Sequence, residues 1–450
     1  MKRIACCLLA AISWLPSSAW GGVRPRYGGT LRVALAELSS SLDPQAVDGG
    51  SEGAVARVAP LLFDTLVRVD AEDRAHPQLA VAWQADRSFQ RWQFWLRPAV
   101  RFSDGTPVTS ALVVVGLAGA HPGWSARVDG DLVVIESDSP QPGLLAELAL
   151  PRNSVVRRGT GGELVGTGPF VVKNFQPGKS LELIANANCW GGRPFVDSVQ
   201  IEFAKSLREQ MVELQLGKVD LIEIGADQIG RVESEGRKAQ VSSPVELVAL
   251  VASPGGKARD SRVREALSLA IDRKSIQSVL LRGGSEAAGG VLPAWMSGVS
   301  FLFPVQVDLA RARGLAGTSH LTLTLSYEGG SLGQLLAERV ALNAREAGLS
   351  VQVVSSGTAD LRLQRIPLGS ADPGMALRRV GEAVGAHLPS SVSSPQEVYG
   401  ADKKVMDEGG VIPLFHLPLA SLAGERVRNA PAERLGSWPL EEVWLETGQP

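Results

Sequence analysis

The stretch Val165–Ser180, "VGTGPFVVKNFQPGKS", decides how this chain is read. Its Gly178-Lys179-Ser180 triplet, behind a glycine-rich start, has the look of a phosphate-binding loop. That loop requires a first glycine separated by four residues from the Gly-Lys pair, so that backbone N–H groups curl around the anion. The required position holds Lys173. A phosphate loop must also open a helix. Here Ser180 leads into "LELIANANCW", in which Leu181, Leu183 and Ala185 alternate with Glu182 and Ile184, the period of a strand. Upstream, "PFVVKNF" is β-branched and aromatic, and Asn174 to Gly178 supply turn residues. The stretch is predicted to be a hairpin.

The bulk properties fit such a chain. Its 450 residues, 44% hydrophobic and 20% charged, suffice for two or three globular domains. A net charge of −2 implies neither a nucleic-acid-binding surface nor an acidic tail. At the N-terminus, Lys2 and Arg3 precede an apolar run from Ile4 to Leu15 and the small residues Ser17, Ser18 and Ala19. This pattern predicts a secretory signal peptide, residues 1–19, cleaved after Ala19. The apolar run is shorter than the roughly 20 residues a membrane span needs. Removal of the peptide takes away Cys6 and Cys7 and leaves Cys189 without an internal partner. The mature protein is expected to be exported, soluble and held by its core.

Further along, "YGGTLRVAL" predicts a first strand, and Val55, Val58, Leu61 and Leu62 share one helical face. "RWQFWLRPAVRFSDGTPVT" reads as a strand of alternating aromatics followed by an Asp104-Gly105 turn, with Trp83, Trp92 and Trp95 expected to anchor a small core. "SLREQMVELQLGKVDLIEIG" predicts a helix with Leu207, Met211 and Leu214 inward, then a strand. "DSRVREALSLAIDRKSIQSVLLRGG" predicts one helix capped by Asp260 or Ser261. "HLTLTLSYEGGSLGQLLAERVALNAREAGLSVQVVS" is a strand–helix–strand unit of the parallel-sheet kind. "GGVIPLFHLPLASL" reads as a buried strand broken by prolines.

Chemistry is sparse. Gly329-Gly330-Ser331-Leu332-Gly333 fits the nucleophile elbow of serine hydrolases, between a strand and a helix, with Asp372, His387 and His416 downstream in the required order. With 49 glycines in the chain, a three-position match is also expected by chance. The five histidines have no metal-ligand spacing. Trp190 and Trp295, after glycine or proline segments, are placed to line a cleft, with core packing the alternative for each.

Several segments taken in order resemble the peptide/nickel-type (family 5) extracellular solute-binding proteins of ABC importers. They are "GGTLRVAL…SLDPQ", "HPQLAVAW" with "LRPAVRFSDGTPVT", "VGTGPFVVKNFQPGKSLELIANANCWGGRPF", "SRVREALSLAIDRKSI" and "VIPLFHLP". The resemblance implies an α/β, two-lobed periplasmic-binding-protein fold of type II, cluster C-like, with mixed sheets, a hinge and a reduced extra domain. It implies lobe one in residues 20–62 and 161–246, an inserted small domain in 63–160, lobe two in 247–423, and a return to lobe one in 424–450. The implied function is periplasmic capture of a small peptide or peptide-like solute in an interlobe cleft and its delivery to an ABC permease of the inner membrane. The protein would then be a monomer without catalysis, cofactor, metal or nucleic acid. The family block that lines the cleft carries a Trp, an Asp and then Asp-Pro; here Ile366 and Gly369 stand at the first two positions and Asp372-Pro373 at the last. Asp372 is therefore the candidate ligand anchor, the alternative being the cap of a helix from Met375 to Val384. Asp48 and Glu52, after "SLDPQ", are further candidates for a cationic ligand end, the alternative for both being a solvated loop charge. Two other readings compete: a secreted hydrolase using Ser331, and a sensor or scaffold that keeps a degenerate binding-protein fold.

Overall fold

The structure is a computed structural model. It describes residues 24–446 apart from 38, 46–51, 71–73, 118–123, 283, 298–304, 318–320, 356, 390–391, 393, 433–434 and 436–437. The expected signal peptide and Asp48 lie outside the described residues.

The opening hairpin is present: Phe170–Gln176 pairs antiparallel with Ser180–Ala185. Its turn, Pro177 to Lys179, is tighter than expected, and Gly178 adopts a φ of 70° there. The two glycines upstream have another task. A Cβ on Gly166 would lie 2.0 Å from the Leu62 carbonyl oxygen, and one on Gly168 would lie 2.6 Å from the Leu62 carbonyl carbon. Glycine here allows two backbones to touch.

Lobe one is built on β1 (Thr30–Ala34), which lies parallel between β4 (Ser198–Glu202) and β5 (Leu221–Ile224); the hairpin strands β2 (Phe170–Gln176) and β3 (Ser180–Ala185) extend the sheet beyond β4. Helix α1 (Glu52–Leu62) lays Val55, Val58, Leu61 and Leu62 against it. Trp438, Leu440, Val443 and Leu445, near the far end of the chain, complete the same core.

Between α1 and β2 the chain forms a separate antiparallel sheet of Ala80–Ala85, Arg91–Leu96, Leu132–Glu136 and Ser125–Asp129, in that spatial order. Trp92 and Phe94 face its core, with Trp83 packed beside them. Trp95 does not join them. It is 37% exposed, because successive strand residues point to opposite faces. A short helix, α2 (Leu144–Leu148), follows this sheet.

Lobe two continues the main sheet. The long strands β6 (Ala239–Ala252) and β10 (Val411–Ala423) pair antiparallel; β10 also pairs with β5, and β6 with β9 (Leu361–Pro367). These two strands carry the sheet from one lobe into the other. Strand β7 (Thr322–Tyr327), helix α3 (Gly330–Glu346) and parallel strand β8 (Ser350–Val354) form the expected strand–helix–strand unit. Helices α4 (Pro373–Val384) and α5 (Pro395–Gly409) cover the opposite face, enclosing Leu247, Val251, Leu377, Val380 and Val405.

Three local expectations are corrected. Strand β10 runs unbroken through Pro413 and Pro418; register irregularities opposite both absorb the missing N–H donors. The single helix from residue 261 is interrupted: Ser261–Ala270 ends at Ile271, and Asp272 caps a new turn through Ser275 N. In the helix Leu207–Gln215, Leu207 is 41% exposed, and Gln210 takes the inward position, bonding Glu223 N at 2.8 Å.

Candidate functional site

The inserted domain meets lobe two along α2 and the turn Pro151–Asn153. Ala146, Leu150 and Met375 make an apolar contact there, and the Asp372 carboxylate lies against Gly143, just ahead of α2. Beside this contact is a cavity of about 450 Å³. Glu147 and Arg152 line it from the inserted domain; Arg365 of β9 and Arg378, Arg379 and Glu382 of α4 line it from lobe two. Arg152 donates to both Glu147 oxygens, at 2.9 and 2.6 Å.

A row of charges runs from lobe one towards this cavity. Arg57 of α1, almost buried, pairs with Glu223 of β5 at 3.0 Å and with Glu37 at 3.3 Å. Arg365 pairs with Glu246 of β6. Burial pushes the Glu37 carboxyl above its ordinary value, against the pull of Arg57; Glu223 and Glu246 add to the rise. Burial pulls the Arg365 guanidinium down, but Glu246 outweighs it. Arg365 thus stays cationic.

The residues singled out from sequence do not converge on one point. Asp372 caps α4, its Oδ1 accepting from Met375 N at 2.8 Å, while its side chain also faces the inserted domain. Trp190 is half-buried; its Nε1–H donates to Asp64 at 2.7 Å and Arg97 lies over its ring at 4.3 Å. Trp295 donates to the Pro244 carbonyl at 2.8 Å and packs on the lobe-two core. Glu52 begins α1, and its side chain is outside the described residues. Ser331 lies in the first turn of α3. Of its expected partners, Asp372 is engaged as a cap and His416 is buried, its Nε2 2.9 Å from the Val291 carbonyl oxygen. The cavity arginines were missed in sequence. The only signal available was the arginine pair of "LRRV" in α4, a turn beyond the Asp372-Pro373 start.

A larger cavity, of about 920 Å³, lies within lobe two and includes Asp402 and His416 in its wall. Asp402 accepts from Val291 N and Leu292 N at 2.9 and 3.2 Å, and burial raises its pKa to about 6. Burial lowers that of His416 to about 4. The two groups fasten the Val291–Leu292 loop. We place the candidate site in the smaller cavity, one wall of which belongs to the inserted domain and the other to lobe two.

Two lobes joined by continuous strands, with a charged cavity between the inserted domain and lobe two, define a two-lobed solute-binding fold. The sequence pattern described as "Bacterial extracellular solute-binding proteins, family 5 Middle" matches residues 74–372, and the chain belongs to that family. It is 23% identical over 345 residues to the nickel-binding periplasmic protein of Escherichia coli, an alignment covering 65% of this chain and 66% of that one. The chain spans from about half to two thirds of the length of the curated relatives it matches. Among solved structures, NikZ of Campylobacter jejuni in complex with Ni(L-His) is similar, with a TM-score of 0.80 and 18% identity, covering 92% of this chain and 99% of that one. DppA of Helicobacter pylori in complex with peptide STSA has a TM-score of 0.78 at 18% identity, covering 94% and 99%. These likenesses establish the fold.

Proposed function

We propose that the chain is the exported substrate-binding component of an ABC importer. It captures a peptide-like small solute in the cavity between its inserted domain and lobe two, and delivers it to an inner-membrane permease. The mature protein works in the periplasm as a monomer and carries out no chemistry. The supporting observation is the cavity itself: its walls come from the inserted domain and from lobe two, so a hinge motion between them would admit and enclose a solute. The peptide-binding and nickel-binding names of relatives agree with such a role. Asp372, at the junction of the two walls, would act by holding α4 in place and facing the ligand's cationic end.

The test is a thermal-shift screen of residues 20–450, unfolded and refolded to strip any bound solute. It uses pooled di- to pentapeptides, nickel complexes and sugars. A ligand at 100 times its Kd adds roughly 2.7 kcal/mol of stability, an easily read shift. A shift with one class supports the reading. Silence across all pools would overturn it.

A further inference from the structure

We infer that Met375 of α4 is the closure contact of the cavity between the inserted domain and lobe two, a positioning residue that holds the two walls together by packing on Ala146 and Leu150. This rests on the reading of that cavity as the solute site. The helices that meet here each divide their apolar residues between two tasks. In and just after α2, Leu144 and Leu148 join the core of the inserted domain, whereas Ala146 and Leu150, offset by two positions, pack on Met375 instead. In α4, Ala376, Leu377 and Val380 join the core of lobe two, whereas Met375 packs on the inserted domain. Ala146, Leu150 and Met375 are buried only because the seam is shut; parting the walls would return them to water. Met375 also lines the cavity. One side chain thus meets both the opposite wall and the space a solute would fill.

The seam is weakest at this point. The inserted domain is fastened to lobe one by interior hydrogen bonds: Thr167 Oγ1 and Trp190 Nε1 each donate to Asp64 at 2.7 Å, and Ser103 N donates to the Gly166 carbonyl at 2.9 Å. Gln45 Nε2 adds a bond to the Gly116 carbonyl at 2.6 Å. Towards lobe two, the buried apolar cluster among the described residues is confined to Ala146, Leu150 and Met375. A contact of that size can be made and broken as a solute comes and goes, where a large apolar interface could not. The root of Met375 is fixed and its tip is adaptable. Its N–H donates to Asp372 Oδ1 at 2.8 Å, and its unbranched thioether, with Sδ 3.8 Å from Ser370 Oγ, can settle against solutes of different shape. A solute lying against it gains that contact only in the closed form, and so shifts the balance towards closure.

The experiment has one arm without solute and one with it. Small-angle X-ray scattering is recorded for the unliganded mature protein and for Met375→Ala, Leu150→Ala, Met375→Leu and Leu377→Ala. Dissociation rates are then measured for the di- to pentapeptide or nickel complex that shifts the wild-type melt. Met375→Ala and Leu150→Ala should enlarge the unliganded radius of gyration and speed dissociation roughly tenfold, and Met375→Leu should stay close to wild type. Leu377→Ala, on the core face of α4, should lower the Tm while leaving radius and dissociation unchanged, which separates closure from mere stability. Should Met375→Ala fail to fold, Leu150→Ala tests the same contact from the other wall. An unliganded radius or a dissociation rate equal to wild type in both Ala variants overturns the closure contact and leaves the solute site standing. Failure of every peptide and nickel complex to bind wild type overturns the solute site, and the scattering comparison still decides the closure contact.

Discussion

Trp190 donates its indole N–H to the Asp64 carboxylate at 2.7 Å, while the Arg97 guanidinium covers the same ring at 4.3 Å from its centroid. Asp64 is nearly buried and also accepts from Thr167 Oγ1 at 2.7 Å and Gln78 Nε2 at 2.6 Å. One carboxylate thus ties the edge of the inserted domain to the Gly-Thr-Gly segment and to the loop after β3. Asp64→Ala strands three donors and should cost about 3 kcal/mol or more. Trp190→Phe should cost about 1–3 kcal/mol with ligand affinity unchanged. Urea unfolding beside calorimetry checks both. Loss of affinity at constant stability would put Trp190 at the ligand instead.

Gly166→Ala is expected to destabilise by about 1–3 kcal/mol, because the added methyl group meets a backbone carbonyl that cannot yield as a side chain can. Gly178→Ala, at a turn position with a φ of 70°, should cost about 1 kcal/mol from the strain of a positive φ. Urea midpoints of the two variants, measured together, separate crowding from strain. A smaller loss at position 166 than at 178 would contradict the close approach.

Asp220 joins β1 to the returning C-terminal segment. Arg32 donates to it at 2.8 Å and Arg426 at 2.6 Å. Burial pushes its carboxyl up, but the hydrogen bonds from Arg426 and Arg32 outweigh burial and hold it below its ordinary value of 3.8. A depressed folded pKa gives stability that is present above the unfolded value and lost as pH falls through the folded one. Wild type should therefore lose stability below pH 3.8 more steeply than Asp220→Asn, which should be less stable at neutral pH. Urea unfolding between pH 2.5 and 7 measures it; parallel curves for the two proteins would refute the linkage.

Asp402 and His416 titrate in opposite senses. The raised Asp402 contributes stability that is present below its ordinary value of 3.8 and lost as pH rises through about 6. The depressed His416 contributes stability that is present above 6.5 and lost as pH falls towards about 4. Each amounts to at most about 3 kcal/mol, and the two offset each other between pH 4 and 6.5. His416→Gln should gain stability on acidification through this window, and Asp402→Asn should lose it. Thermal melts of both variants across that range decide the matter; the same slope in both would defeat the assignment.

Much of the fold was legible because its signals are local. The hairpin after Gly168 and the unit from Thr322 to Val354 declare themselves by periodicity and turn residues within a few dozen positions. Strand β10 was misjudged because Pro413 and Pro418 break a strand in isolation, whereas a buried sheet tolerates them at irregular register. The site was far less legible. Arg152, Arg365 and Arg379 are ordinary surface residues in sequence, and only the fold sets them around one cavity. Trp190 was expected near a cleft, yet its nearest polar partner, Asp64, lies 126 residues away. No spacing rule reaches that far.

The closure of lobe one by the chain's last segment has a kinetic consequence. Trp438, Leu440 and Leu445 fill the core around Leu31 and Val33, and Arg426 reaches the carbonyl of Thr30, 396 positions earlier. Such distant pairings are slow to form, since the loop entropy is lost before the contacts are gained. The first lobe to emerge during synthesis is thus the last to be completed. A chain stopped short of Arg426 lacks the contacts that Trp438, Leu440 and Leu445 make with Leu31 and Val33, and so has no finished lobe one.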